Sequence, residues 1–267
     1  MKILVIVRRY PLLSYFILAY GIAWGGCLVT AGPKFLRGEP LAFADGAVMF
    51  LAMLAGPSLA GVGMTWITDG GKGLRQLLLK MSRWRVNLHW FSMAALLPPS
   101  LFITVLLMMS ALVSPVFTPR FLPQGIAIGL LAGFFEEIGW TGFAFPRLRE
   151  RFGLLAGAVL LGLLHSFWHI VADYLFSSAE YGAYWLPHFL IWMVASMTAM
   201  RVLIVWVYSN TRSVFLAQLM HASSTAVLAV IGPALSPVND TLLYAVYAGV
   251  LWLVVGVVVM GRDSRKA

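Results

Sequence analysis

Long apolar runs separated by short polar breaks fill nearly the whole chain, and their lengths decide the class of fold. At a rise of 1.5 Å per residue, about 20 apolar residues cross a hydrocarbon layer of about 30 Å. Eight runs approach or reach that length: 11–30, 48–67, 90–113, 124–145, 153–171, 184–207, 214–231 and 242–260. They predict an all-α fold, a polytopic membrane helix bundle with about eight transmembrane helices. With no low-complexity linker, long charged tail or internal repeat between them, 1–267 reads as a single membrane domain. The first run follows Arg8 and Arg9 without a clear small-residue cleavage site after it, so it reads as a retained signal-anchor. Between the second and third runs, Leu74, Leu77, Leu78, Met81 and Leu88 recur at near-helical spacing, with Lys72, Arg75, Lys80 and Arg83 mainly on the other side. That pattern predicts an interfacial helix on the inner leaflet.

Composition removes the soluble alternative. Of 267 residues 61% are hydrophobic and 11% are charged, against about a quarter charged in soluble domains. The net charge of +9 would fit a nucleic-acid binder if it formed a surface, but the basic residues sort by loop instead. Alternate loops hold 15 of the 19: Lys2, Arg8, Arg9, Lys72, Arg75, Lys80, Arg83, Arg85, Arg147, Arg149, Arg151, Arg212, Arg262, Arg265 and Lys266. The other loops hold Lys34, Arg37 and Arg120, and Arg201 alone falls inside a run. This asymmetry places both termini in the cytoplasm of an integral, cell-membrane protein and leaves no basic face for nucleic acid. The expected partner is the lipid bilayer. Cys27, the single cysteine, excludes an intrachain disulfide or thiolate cluster and reads as a small packing residue.

The chemistry must lie with the ionisable groups inside the runs. Glu136 and Glu137 sit well inside the fourth, with about 13 mostly apolar residues before them and nine before the Pro146-Arg147 exit. A carboxylate at that depth costs about 2.5–3.5 kcal/mol on insertion scales, so it faces a bundle interior or aqueous cavity. Two neighbouring carboxylates also resist ionising together, which lets an acid and a base coexist near neutral pH. His165 and His169 lie at i and i+4 on the fifth run, and His221 and Thr225 at the same spacing on the seventh. Counted from the inferred cytoplasmic ends, Glu136, His165 and His221 fall at one depth and His169 about a turn deeper, which predicts a shared site. His188 and His89 read as interfacial. Arg201 falls close to the depth of Glu137, and a guanidinium buried there needs a carboxylate partner or must reach back to the headgroups.

These residues resemble a family, the CPBP or Abi group of type II CAAX prenyl endopeptidases and bacteriocin-processing proteins, which are intramembrane glutamic proteases. EEIGWTGFAFPRL resembles its first motif, HSFWH its second and HASST its third, over a family-like core of about 124–231. The resemblance implies endopeptidase cleavage of membrane-associated peptides or proteins by an activated water. Glu136 would be the general base, His169 would orient or activate the water, and His221 would help stabilise the oxyanion. Glu137, His165, Thr225 and Arg201 would support them. Two positions depart from the family pattern: Thr141 stands where EExxxR has arginine, and Thr225 where the third motif ends in asparagine. The pairing expected for Arg201 would supply the cation missing at Thr141.

Other functions remain to be separated from this one. A noncatalytic membrane binder, such as a bacteriocin-immunity or scaffold protein, would keep the cavity without the reaction. A proton-coupled transporter would use the same residue types as a relay, but paired repeats and broken helices are only weakly indicated. Zinc is an alternative cofactor because histidine and glutamate ligate it, yet HSFWH lacks the internal glutamate of HExxH. The expectation is a site with no metal and no cofactor.

Overall fold

The computed structural model describes residues 2–263; Arg265 and Lys266, counted above among the basic residues, lie outside them. A short helix, Lys2–Arg9, leads into α1 (Pro11–Leu36), whose first helical position is a proline that has no N–H to leave unpaired. The remaining long helices are α2 (Phe43–Met81), α3 (Leu88–Leu112), α4 (Gly125–Phe152), α5 (Leu154–Trp168), α6 (Ile170–Tyr181), α7 (Met197–Thr211), α8 (Val214–Ile231) and α9 (Pro237–Asp263). There are no strands among the described residues. The chain is a polytopic helical membrane bundle. Apolar side chains such as Val29, Leu107, Leu253 and Val257 cover its outside, where lipid rather than water is the solvent.

Packing follows the helical repeat. Tyr15, Ala19, Ala23, Cys27 and Ala31 recur every fourth residue of α1 and are fully buried, and Leu243, Tyr247, Leu251 and Val255 do the same on α9. Cys27 is thus a packing residue, as expected. Between α4 and α8 the approach is closer. A Cβ on Gly133 would lie 2.5 Å from the Ala222 nitrogen and the Gln218 oxygen, so only glycine lets the two backbones meet. That contact sits one turn before Glu136 and Glu137 and fixes their distance from α8.

Seven helical segments among the described residues are long and apolar enough to cross a membrane, and the run expected at 153–171 is not one of them. It is split. Leu154–Trp168 has 15 residues and tightens at His169, whose N–H bonds back three residues to Ser166 at 3.1 Å, before α6 resumes and ends at Gly182 with φ of +51°. The carbonyls loosened near the break are met from α1. Tyr20 Oη donates to the Leu164 oxygen at 2.5 Å and Trp24 Nε1 to the Trp168 oxygen at 2.7 Å. Within hydrocarbon each such group needs a partner, which is how an irregular helix is tolerated here.

Two π-helical turns flank the functional region, Trp140–Ala144 in α4 and Leu190–Ser196 before α7. The second is stitched to its neighbours by Ser166 Oγ donating to the Met193 oxygen at 2.7 Å and Trp252 Nε1 to the Ala195 oxygen at 3.1 Å. Leu88 belongs to α3, and the amphipathic segment is helical only as far as Met81, continuing α2 after a kink at Gly70, φ +63° and ψ −158°. Its Leu77 is buried while Leu78 and Leu79 are exposed.

Candidate active site

Adjacent residues of a helix point about 100° apart, so the two carboxylates of α4 serve different neighbours. Glu136 turns toward α5. Its Oε2 lies 2.9 Å from His165 Nε2 and accepts from Trp140 Nε1, one turn on, at 3.3 Å. Glu137 turns toward α7 and α8. Its Oε1 accepts from Arg201 Nη1 at 2.6 Å and from His221 Nδ1 at 2.7 Å, and its Oε2 accepts from the Thr141 hydroxyl. Arg201 Nη2 reaches on to His165 Nδ1 at 3.0 Å, and His221 Nε2 lies 3.9 Å from Glu136 Oε2. Five side chains from four helices therefore close a ring, all of them buried.

The two carboxylates are not alike. Glu137 has donors on both oxygens, one of them a guanidinium that is always charged, and so it is held as the ionised, structural partner. Glu136 has donors on Oε2 alone, and no described residue donates to its Oε1. Glu136, His165, His169 and His221 line one cavity of about 350 Å³, together with Thr225 and Arg201. Glu137 stays behind that wall. The rest of the lining is mostly apolar, with Trp192, Met197, Met200, Ile204, Leu228 and Leu251 drawn from the π turn and from α7, α8 and α9.

The pairing expected between Arg201 and Glu137 forms. At 1% exposure Arg201 does not reach for the headgroups. The histidines take distinct places. His165, not His169, touches Glu136; His169 makes ring contacts with His165 at 5.3 Å and Trp168 at 4.7 Å between centroids and faces the cavity. His188 is buried against its neighbours, 3.6 Å from Asp240. His89 is exposed in the first turn of α3, beside its cap Asn87. The sequence reading missed Trp140 as a donor to Glu136, although its place at i+4 from Glu136 is the signal that would have found it.

Glu136, His165 and His169 each offer a ligand atom within 4.8 Å of one another, the arrangement a zinc ion would use. The hydrogen bonds fit such an ion poorly. A guanidinium N–H can only donate, so His165 Nδ1 is the acceptor nitrogen and the ring hydrogen sits on Nε2, directed at Glu136. A zinc-bound histidine needs that lone pair free and an acceptor, not a cation, on its other nitrogen.

Residues 118–227 match the family model described as type II CAAX prenyl endopeptidase Rce1-like. CAAX prenyl protease 2 of Methanococcus maripaludis is 33% identical over 112 residues, which are 39% of this chain and 39% of the relative. The chain thus aligns with about two fifths of the length of the curated relative it matches. The matched stretch holds Glu136, Glu137, His165, His169, Arg201, His221 and Thr225, and over it the chain is similar to that family.

Proposed function

We propose that the chain is an intramembrane endopeptidase that hydrolyses peptide bonds of membrane-associated substrates with a water activated by Glu136. The observation that carries this reading is the asymmetry of the glutamate pair: one carboxylate is fully bonded within the protein, and its neighbour keeps an oxygen without a protein donor beside an apolar cavity. In the reaction, Glu136 takes a proton from water as the water oxygen bonds to the substrate carbonyl carbon. Charge then develops on the carbonyl oxygen. Collapse of this species breaks the C–N bond, and the proton held by Glu136 passes to the departing nitrogen. No covalent enzyme intermediate is needed.

His169 and His221 both line the cavity beside Glu136 and take different parts in this scheme. His169 orients the water, and His221 donates to the oxyanion from Nε2. Because His221 Nδ1–H already serves Glu137, donation from Nε2 calls for the imidazolium form, whose charge suits a developing anion. Thr225, one turn from His221 along the cavity wall, offers a hydroxyl to the same oxygen. The bilayer is the working environment, and we place both termini on its cytoplasmic face on the strength of the basic-loop asymmetry.

The relative's name makes a prenylated CAAX peptide the first substrate to assay, beside an unprenylated apolar peptide in the same lipid vesicles. Purified wild-type protein should cleave at least one, and Glu136→Gln should not. Equal cleavage by the two proteins would refute the assignment. A phenotype retained in cells carrying Glu136→Gln would instead favour the noncatalytic binder.

A further inference from the structure

Among the described residues Arg201 is the only buried arginine or lysine, and it does not touch the proposed base. Its two hydrogen bonds nevertheless have a logical consequence for it. Nη1 serves Glu137, and Nη2 points at His165 Nδ1 across 3.0 Å. A guanidinium has five N–H donors and no acceptor, so the nitrogen it meets must offer a lone pair. A protonated imidazole would set two N–H groups and two positive charges against one another in a buried site. That leaves the neutral ring with hydrogen on Nε2 alone, and Nε2 lies 2.9 Å from Glu136 Oε2.

We propose that Arg201 is a positioning residue for the reaction: it sets the tautomer of His165, and His165 in turn holds Oε2 of Glu136 and leaves Oε1 to the water. This rests on the reading of Glu136 as the base. It assigns different work to the two histidines of HSFWH. His165 has its one hydrogen committed to Glu136 and its one lone pair committed to Arg201, so it cannot accept a proton from water. His169 is left as the histidine that faces the reacting groups.

The same guanidinium links the parts of the site in one direction of donation. From α7, Arg201 donates to Glu137 on α4 and to His165 on α5, and His165 donates to Glu136 on α4. A neutral residue at 201 would leave His165 free to place its hydrogen on either nitrogen. In the other tautomer Nε2 presents a lone pair to the Glu136 carboxylate, repels it and releases its fixed orientation.

The test reads the tautomer directly. The full chain, labelled with 13C and 15N in histidine and reconstituted in lipid nanodiscs, is compared by NMR for wild type, Arg201→Met and Arg201→Met/Glu137→Gln, with His165→Gln identifying the resonance. The double variant removes the cation and its counter-charge together and covers the case in which Arg201→Met fails to fold. Wild type should show His165 with hydrogen on Nε2. In the double variant that pattern should give way to a mixture of tautomers, and kcat should fall by about 10- to 100-fold with KM changed less than about threefold, as expected when a reacting group is misplaced. Arg201→Lys, which keeps a donor, should recover part of both. A wild-type His165 with hydrogen on Nδ1, a tautomer unmoved by removal of Arg201, or a loss confined to KM would overturn the proposal. The tautomer is seen without turnover, so a protein that shows it and cleaves nothing would count against the protease reading and not against the role of Arg201 in fixing His165.

Discussion

Among the described residues two clusters combine histidine with carboxylate, one buried and one half-buried, and they differ in what they are built to do. In the first, Glu136 and Glu137 are served by Arg201, His165 and His221, and the cluster opens on a cavity of about 350 Å³. In the second, Tyr181 Oη donates to Asp240 Oδ2 at 2.5 Å, His188 Nε2 lies 3.6 Å from the same oxygen, and Thr241 Oγ1 lies 3.4 Å from His188 Nδ1. None of Tyr181, His188 and Asp240 lines the cavity. The second cluster fastens the turn at Gly182 to the first turn of α9, and its polar groups serve as one another's partners. Buried ionisable groups in a membrane helix are therefore not by themselves a site. The distinguishing feature is the cavity: Glu136 lies against it with an oxygen that no described residue donates to, whereas Asp240 does not line it.

Substitutions in the two clusters should separate sharply. Glu136→Gln is expected to reduce cleavage at least about 100- to 10,000-fold, the scale of a lost general base, with the protein still inserted and folded. His169→Ala should cost about 100-fold or more on the same assay, and a loss under tenfold would remove it from the water-orienting role.

Intermediate effects belong to the wall behind the cavity. Breaking the Arg201–Glu137 pair strands a buried charge, at a cost of about 3–5 kcal/mol for either single substitution. In the cycle of Arg201→Met and Glu137→Gln, measured by thermal unfolding in detergent, the double variant should recover a substantial part of that loss. Strictly additive losses would show that the pair does not couple.

The smallest effects should fall on the second cluster and on metal removal. Asp240→Asn should lower stability by about 1–2 kcal/mol, the size of one buried hydrogen bond to a charged acceptor, and leave the rate per folded molecule within about twofold. A larger loss of rate would join the two clusters functionally and erase the contrast drawn between them. Rigorous chelation should leave the rate unchanged. Activity lost to the chelator and restored by stoichiometric zinc would mean that His165 gives up its hydrogen bond to Glu136 and binds metal.

The membrane bundle and the first cluster were largely readable from the sequence, and the second cluster was not. Runs of apolar residues have no soluble explanation, and the period of buried residues on α1 and α9 follows from them. Depth alone put Glu136, His165 and His221 at one level with His169 about a turn deeper, and Arg201 stood out as a lone cation in an apolar run. Depth does not give the angle around the helix. That is why depth could not show that His165 meets Glu136 at 2.9 Å while His169 makes no hydrogen bond to it. The split of the fifth run was illegible for a related reason. HSFWH contains neither proline nor glycine, and its irregular backbone is tolerated because Tyr20 and Trp24, some 144 residues earlier, supply donors to the Leu164 and Trp168 carbonyls. Similarly, the burial of His188 was illegible because Asp240 and Thr241, which it meets, lie on a helix about 50 residues away.

The π turn at Trp140–Ala144 sets the aim of everything that follows it. Such a turn accommodates one residue more than the regular helix would, and one residue corresponds to about 100° of rotation. It lets Trp140 and Thr141 reach back to Glu136 and Glu137 while Leu148 is buried and Arg147 meets Thr68 and Asp69 on α2. Loss of a single codon within the turn would shorten the helix by only about 1.5 Å. Yet it would swing Leu148 off its packing and Arg147 away from α2. In evolutionary terms this is a stretch where a change of length acts as a change of bearing, so the gene should tolerate substitutions of residue type here far more readily than insertions or deletions.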